Sequence, residues 1–346
     1  MTNLEQVLRR AAPGRKVKGI AAALLPMTAE GGIAEEDFVG HLRATQAAGL
    51  TNAANMDTGY VNYLTPEEKR RVLELTREAL GPGTPFVAGA YIEGIEGDPV
   101  ALYRREIELI LGFGGTPILF QTARLHGRTA REKVEVYCQA TEGVPEVLAF
   151  ELGTMFAPNG EIFDEETVRG LMETPAITGM KHSSLSKLKE LERLELRDRV
   201  RPDFRIYTGN DLGISMIEYG SDYLLGLATF CPERFAERDR LWAAGDPSYL
   251  ELSDALQHLG NVAFRAPVPA YKHSAAVFLH QQGRISSPDP HPRCPRRPNW
   301  EPEILRSCAE RLGLKGGSLG GASEGGDLSD RSDWSDDRGP NDGPAA

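Results

Sequence analysis

Between residues 17 and 244 short apolar runs alternate with longer amphipathic stretches, and the alternation repeats eight times. The apolar runs are 17–25 (VKGIAAALL), 51–57, 85–91 (PFVAGAY), 116–121 (TPILFQ), 147–152, 176–182, 204–208 and 222–228, and each reads as a strand. Amphipathic stretches at 34–48, 65–80, 98–112, 129–141, 164–173, 185–196, 211–219 and 231–243 read as the helices between them. A strand, a crossover helix and a further strand give parallel pairing, and eight such units close a barrel. The expected fold class is therefore α/β: a (β/α)8 TIM barrel over 17–244, preceded by an N-terminal segment, 1–16. An open doubly wound sheet is the alternative, but no glycine-rich phosphate turn follows the first run. Beyond residue 244 the pattern is purely helical (247–263, 267–282 and 301–313), which predicts a C-terminal helical region over 245–314.

Residues 315–346 are mostly glycine, serine and aspartate, and this composition predicts a disordered acidic tail in which Trp334 stands alone. The tail holds seven Asp/Glu and three Lys/Arg, so it carries -4 of the net charge of -11 and leaves -7 for the rest. That balance, with no basic patch interleaved with aromatics, excludes nucleic acid and anionic membranes as expected partners. Cys138, Cys231, Cys294 and Cys308 lack metal-ligand spacing and are too sparse for a disulfide framework. The polar start of the chain and the lack of any long apolar run predict a soluble, cytoplasmic protein.

Chemistry in such a barrel belongs at the C-terminal ends of the strands and in the loops after them. That rule selects Asp57, Thr58, Gly59 and Tyr60, then Tyr91 and Glu93, then Gln121 and Arg124. It continues with Glu151, with Lys181 and Ser183, and with Thr208, Gly209, Asn210 and Asp211. Lys181 ends the apolar run Ile177-Thr178-Gly179-Met180. A lysine desolvated there loses its proton more readily and becomes an amine nucleophile fit for an imine with a ketone; snorkelling out of the strand end is the alternative. No His/Asp/Glu cluster has metal-ligand spacing, so no metal is expected.

Four segments carry a resemblance. They are Gly32-Ile33-Ala34-Glu35-Glu36 followed by Ala48-Gly49-Leu50; Thr58-Gly59 with Leu64-Thr65-Pro66-Glu67-Glu68-Lys69; Gly179-Met180-Lys181; and Tyr207-Thr208-Gly209-Asn210-Asp211. In this order, on an eightfold βα rhythm, they resemble the dihydrodipicolinate synthase / N-acetylneuraminate lyase family of class I aldolases, over residues 19 to about 314. The resemblance implies a Schiff-base-forming lyase or synthase acting on pyruvate or a related 2-oxo acid, with an aldehyde as possible second substrate. The imine would be covalent on Lys181 and need no cofactor, and the protein would be a homo-oligomer, tetramer or dimer. It also implies that Thr58 and Gly59 hold the oxo-acid carboxylate through the Thr58 hydroxyl and nearby amides, with Gly209 and Asn210 beside them in the substrate site.

The departures matter as much. The family's proton-relaying tyrosine on the fifth strand is Phe150 here, about three extra residues follow in 153–160, and the family's carboxylate-binding arginine has no counterpart. Asp57 and Tyr60 flank Thr58-Gly59 where the family has threonine and glutamate, which makes dihydrodipicolinate synthesis itself an unsuitable assignment. A replacement acid/base is needed. Asp57 is the first candidate, as a carboxyl raised by desolvation or, alternatively, a charge partner of Lys181. Tyr60, Tyr91 and Tyr207 are the phenols that can return a hydroxyl to the cavity. Arg124 suits a second carboxylate and Glu151 would bind substrate if turned inward, although alternation favours the helix layer for Glu151 and for His182. Lys272, in a repeat of the Lys-His-Ser tripeptide, is expected to be a solvated or partner-facing charge. The competing function is a non-catalytic relative serving as a 2-oxo acid sensor or structural partner.

Overall fold

The computed structural model describes residues 4–314, so the acidic tail and Trp334 lie outside the described residues. Eight strands form the barrel: β1 Gly19–Ala22, β2 Thr51–Ala54, β3 Val87–Ala90, β4 Thr116–Phe120, β5 Val147–Leu152, β6 Ile177–Ser183, β7 Arg205–Thr208 and β8 Asp222–Leu225. Each pairs in parallel with the next, and β8 returns to β1 to close the ring. Helix α1 (Leu4–Arg9) precedes the barrel; α2 (Glu35–Ala47), α3 (Pro66–Leu80), α4 (Pro99–Gly112), α5 (Ala130–Ala140), α6 (Glu165–Glu173) and α7 (Lys187–Val200) join successive strands. The α-helix expected at 211–219 is instead a 3-10 helix, Ile214–Tyr219, held between Gly213 and Gly220. Six residues between two glycines are too few for a stable α-helical connection.

Local sequence explains where these helices begin. Thr65 and Glu68 form a reciprocal capping box around the start of α3, with Pro66 in the first turn, and Thr129 with Glu132 repeats the device at α5. Asp98, Asp164 and Ser186 each cap one helix by accepting a backbone N–H. Such caps fix the exit angle of the loops at the strand C-terminal ends, which is where the rim residues lie.

Register decides which side chains meet. Phe150, Lys181 and Tyr207 are paired across β5, β6 and β7, while Glu151, His182 and Thr208 are the next residues along. Because successive strand residues point to opposite faces, a one-residue offset separates the barrel interior from the helix layer. The chain continues as α8 (Pro232–Ala244), α9 (Ser248–Ala263), a 3-10 turn Val268–Ala270, α10 (Tyr271–Gln281) and α11 (Glu301–Arg311). These C-terminal elements reach back to the barrel mouth: Arg293 donates to the Tyr63 carbonyl at 2.6 Å, and the His291 ring stacks on Tyr63 with centroids 5.0 Å apart.

Candidate active site

Lys181 lies at the C-terminal end of β6, on the inner face, and only 7% of it is exposed. Its Nζ sits 4.5 Å from the centre of the Phe150 ring, and no carboxylate lies within ion-pair distance among the described residues. Burial lowers the amine to about 8, against the charges of Asp211 and Asp57, which pull the other way. Room for the lysine stem comes from Gly209: a Cβ there would fall 2.6 Å from Lys181 Cε and 2.1 Å from Ser183 Oγ. The absence of a side chain at Gly209 thus leaves clearance for both Ser183 and Lys181.

The loop after β2 is tightly wound. Asn55 and Tyr60, neither of them glycine, both adopt left-handed backbone conformations (φ 49° and 60°) and bracket the 3-10 turn Asp57–Gly59. Within it Asp57 is engaged from the far end of the chain: Lys272 Nζ donates to Oδ1 at 2.9 Å and the Tyr271 hydroxyl donates to Oδ2 at 3.0 Å. Since the Tyr271 proton is committed to Asp57, Thr58 Oγ1, 2.9 Å away, donates its own proton to the phenol oxygen. The Gly59 N–H is bonded to the Met56 carbonyl. Asp57 is therefore the charge partner of Lys272, and of the carboxylate-binding donors expected here the Thr58 hydroxyl and the Gly59 N–H are already bonded.

Lys272 corrects a sequence expectation. It is 1% exposed, beside the rings of Tyr60, Tyr63 and Tyr271. Helix α10 is buried along most of its length, so a lysine in its first turn is carried inward with it. Tyr60, offered as an acid/base, is packed out of reach beneath this lysine, and burial raises its phenol well above 10.

The other expectations divide. Glu151 does not face substrate: it sits in the helix layer, where it accepts from Arg193 Nε at 2.9 Å and the Phe163 N–H at 2.8 Å, and meets His182 Nδ1 at 2.5 Å. Burial alone would raise its carboxyl, but the His182 and Arg193 charges prevail and hold it at about 2. Arg124 is turned to backbone, donating to the carbonyls of Ile95 and Gly97, with its Nε buried and without a partner among the described residues. Asn210 bonds Glu190 and the Leu185 N–H, bracing the loops after β6 and β7. Tyr207 contacts Lys18, just ahead of β1 and away from the rim.

Tyr271 is the functional candidate the sequence reading passed over, and Asp211, selected there as a rim position, was given no role. Asp211 is buried after β7, accepts the Leu227 N–H at 2.7 Å, and is raised by burial to about 7 although that hydrogen bond and the Lys181 charge oppose the shift. Asp211 and Lys181 feel each other's charge from beyond ion-pair distance, so a carboxyl raised towards neutrality and an amine lowered to about 8 share this rim. The signals were a second acid following Gly209-Asn210, and a Tyr-Lys pair in an otherwise apolar helix. Neither signal says where the side chain ends up.

A cavity of about 200 Å³ opens at Asp57 and Lys272. Asp57, Tyr63, Tyr91, Gln121, Asn159 and Lys272 supply its polar lining, and Phe156 to Asn159 of the lengthened β5 loop form a wall. A second depression, near Cys138 and Thr174, lies at the other end of the barrel, by the loops that enter the strands. Among the described residues no group of His, Cys, Asp and Glu is arranged to hold a metal ion, the four cysteines are unpaired, and no helix is long and apolar enough to cross a membrane.

No family model matches the sequence, and no curated protein matches it. Solved structures do share the fold. The dihydrodipicolinate synthase of Thermotoga maritima is 15% identical, covers 87% of this chain and 100% of its own, and superposes with a TM-score of 0.74. The chloride-inhibited dihydrodipicolinate synthase of Acinetobacter baumannii, complexed with pyruvate, is 18% identical over 87% and 100%, with a TM-score of 0.73. A prophage protein of the dihydrodipicolinic acid synthase family from E. coli K12, in complex with pyruvate, is 13% identical over 86% and 99%, with a TM-score of 0.74. At these identities the likeness is one of fold, spanning the barrel and the C-terminal helices.

Proposed function

We propose that this barrel is a divergent member of the dihydrodipicolinate synthase / N-acetylneuraminate lyase family, a Schiff-base lyase or synthase acting on pyruvate or a related 2-oxo acid. The observation that carries the reading is Lys181: an amine lowered to about 8 by burial, without an ion-pair partner among the described residues, at the β6 rim of a barrel whose structural relatives include two solved with pyruvate.

In this reading the Lys181 amine adds to the 2-oxo carbon, and loss of water leaves an iminium. The iminium withdraws electrons from the neighbouring carbon-hydrogen or carbon-carbon bond, whose pair becomes an enamine when the proton or the aldehyde leaves. Asp211 takes the part of acid/base, receiving the proton shed during imine formation and returning one to the departing hydroxyl. Tyr271, with its hydrogen bonds to Asp57 and Thr58, supplies the phenol that Phe150 lacks. The assignment extends to a cytoplasmic homo-oligomer, tetramer or dimer, with an aldehyde as possible second substrate.

Borohydride reduction in the presence of pyruvate tests the reading. A mass gain confined to Lys181, absent in Lys181→Ala, is expected; no gain with any 2-oxo acid overturns it. The second reading, a non-catalytic 2-oxo acid sensor, draws on Phe150 and on a cavity whose lining does not include Lys181. Exchange of pyruvate methyl protons in deuterated water separates the two, since only enamine formation labels that carbon.

A further inference from the structure

Lys272 is a second buried lysine at the barrel mouth, and the chemistry above leaves it without a task. It stands in the first turn of α10, where the helix dipole is positive and another positive charge is unfavourable. Its side chain is 2% exposed. The rings of Tyr60, Tyr63 and Tyr271 lie 5.6 to 5.8 Å from Nζ, offering their faces to the cation but no lone pair of comparable strength. An ammonium has three N–H donors, and one is spent on Asp57 Oδ1. The Asp57 charge is itself divided, because Oδ2 accepts from Tyr271.

Lys272 and Asp57 are the charged side chains that line the cavity of about 200 Å³. None of the other carboxylate receptors the sequence suggested lines this cavity: the Thr58 hydroxyl is bonded to the Tyr271 oxygen, the Gly59 N–H to the Met56 carbonyl, and Arg124 reaches Ile95 and Gly97. A buried cation at a positive helix end, with donors to spare on a cavity wall, is an anion receptor. We infer that Lys272 holds the substrate carboxylate in this cavity, a task carried by the C-terminal helix rather than by the strand-two loop.

Gln121 refines the ligand class. Its Nε2 donates to the carbonyls of Asn159 and Leu152, which fixes the orientation of the amide. Oε1 is left buried with no partner among the described residues, and the side chain lines the same cavity. Turned towards the cavity, that acceptor would be satisfied by a hydroxyl on the ligand. The ligand is thus a small carboxylate bearing a hydroxyl, such as a 2-hydroxy acid or a hydroxylated 2-oxo acid. The inference builds on the 2-oxo acid reading above, but carboxylate binding is measurable without imine formation.

Lactate and lactamide, which have no ketone, serve as probes in calorimetric titration of the full chain. Wild type is expected to bind lactate at least tenfold more tightly than lactamide. In Asp57→Asn/Lys272→Met both charges go together, so no carboxylate is left buried alone, and the preference for lactate should vanish; Lys272→Arg should keep most of it. Equal affinity of wild type for the two probes, or an undiminished lactate preference in the folded double variant, overturns the proposal. If the double variant does not fold, the lysine 13Cε NMR resonances of wild type decide: lactate must shift the Lys272 signal, assigned through Lys272→Arg, and a static signal overturns the proposal. Lactate binding without borohydride trapping on Lys181 would sink the imine reading and leave this receptor standing.

Discussion

The Lys181 amine faces the ring of Phe150 at 4.5 Å, across the register pair that joins β5 to β6. An aromatic face accepts a cation but has no proton to exchange, so under the proposed function an imine on Lys181 would draw its protons from groups other than Phe150. Burial has already shifted the amine to about 8. At pH 7 it is mostly the ammonium, and the nucleophilic fraction grows nearly tenfold per pH unit below pH 7 and more slowly as pH approaches 8. The initial rate of borohydride-trapped imine formation should therefore rise steeply between pH 6 and 8 and level off above about 8.5. A rate still rising past pH 10 would place Lys181 in water.

The same burial predicts a gain in stability when the amine is removed. A lysine whose pKa is lowered on folding costs stability at every pH below its folded pKa, and that cost disappears as pH rises from about 8 towards its unfolded value near 10.4. Lys181→Met should accordingly raise the free energy of unfolding by about 1 to 3 kcal/mol at pH 7 while abolishing trapping. Urea denaturation at pH 7 and pH 10 reads this directly: the gap between variant and wild type must narrow at the higher pH.

Asp211 gives the opposite slope. Its carboxyl is raised to about 7, so the folded state holds a proton that the unfolded chain releases near 4. The stability linked to that proton is fully present below about pH 4 and is lost as pH rises through 7. Asp211→Asn, which imitates the protonated form, should remove this dependence. It should also slow methyl-proton exchange of pyruvate by about 100-fold or more, in line with loss of a general acid/base. Exchange at the wild-type rate with an unaltered pH profile would take Asp211 out of the mechanism.

The contrast between Asp211 and Lys272 shows what the sequence made legible. Strand and helix periods are local, so the barrel, the rim loops and the place of Lys181 followed from counting along the chain. The period-2 rule also put Glu151 and His182 in the helix layer, where they are found. What escaped was the pairing of Asp57 with Lys272 and Tyr271, residues more than two hundred positions apart in the chain. No local pattern reports that α10 lays its first turn over the strand-two loop. Burial of Asp211 escaped for a similar reason, since its desolvation comes from elements that meet only in the closed fold.

Glu151 offers a test of structure apart from chemistry. It is fully buried and binds His182, Arg193 and the Phe163 N–H, which joins β5 and β6 to α7. Its carboxyl is held at about 2, so its contribution to stability is present above about pH 4 and lost as pH falls towards 2. Glu151→Ala leaves Arg193 buried without its anion and should cost about 3 to 5 kcal/mol in urea unfolding at pH 7. A cost under about 1 kcal/mol would mean that the ion pair is not maintained in solution.

Gly209 couples the fold to the amine most directly. It follows β7, and a Cβ added there would press on Ser183 Oγ at 2.1 Å and on the Lys181 stem at 2.6 and 3.1 Å. Side chains can move where backbone cannot, so Gly209→Ala should fold, at a cost of about 1 to 3 kcal/mol for the overpacking. The displaced partners are Ser183 and Lys181, and a shift of the lysine stem takes its amine off the Phe150 face. Trapping by pyruvate should then fall at least tenfold at saturating concentration, while lactate binding at Lys272 stays within threefold of wild type. A variant in which both fall together would show that the glycine serves the whole mouth of the barrel and not the lysine alone.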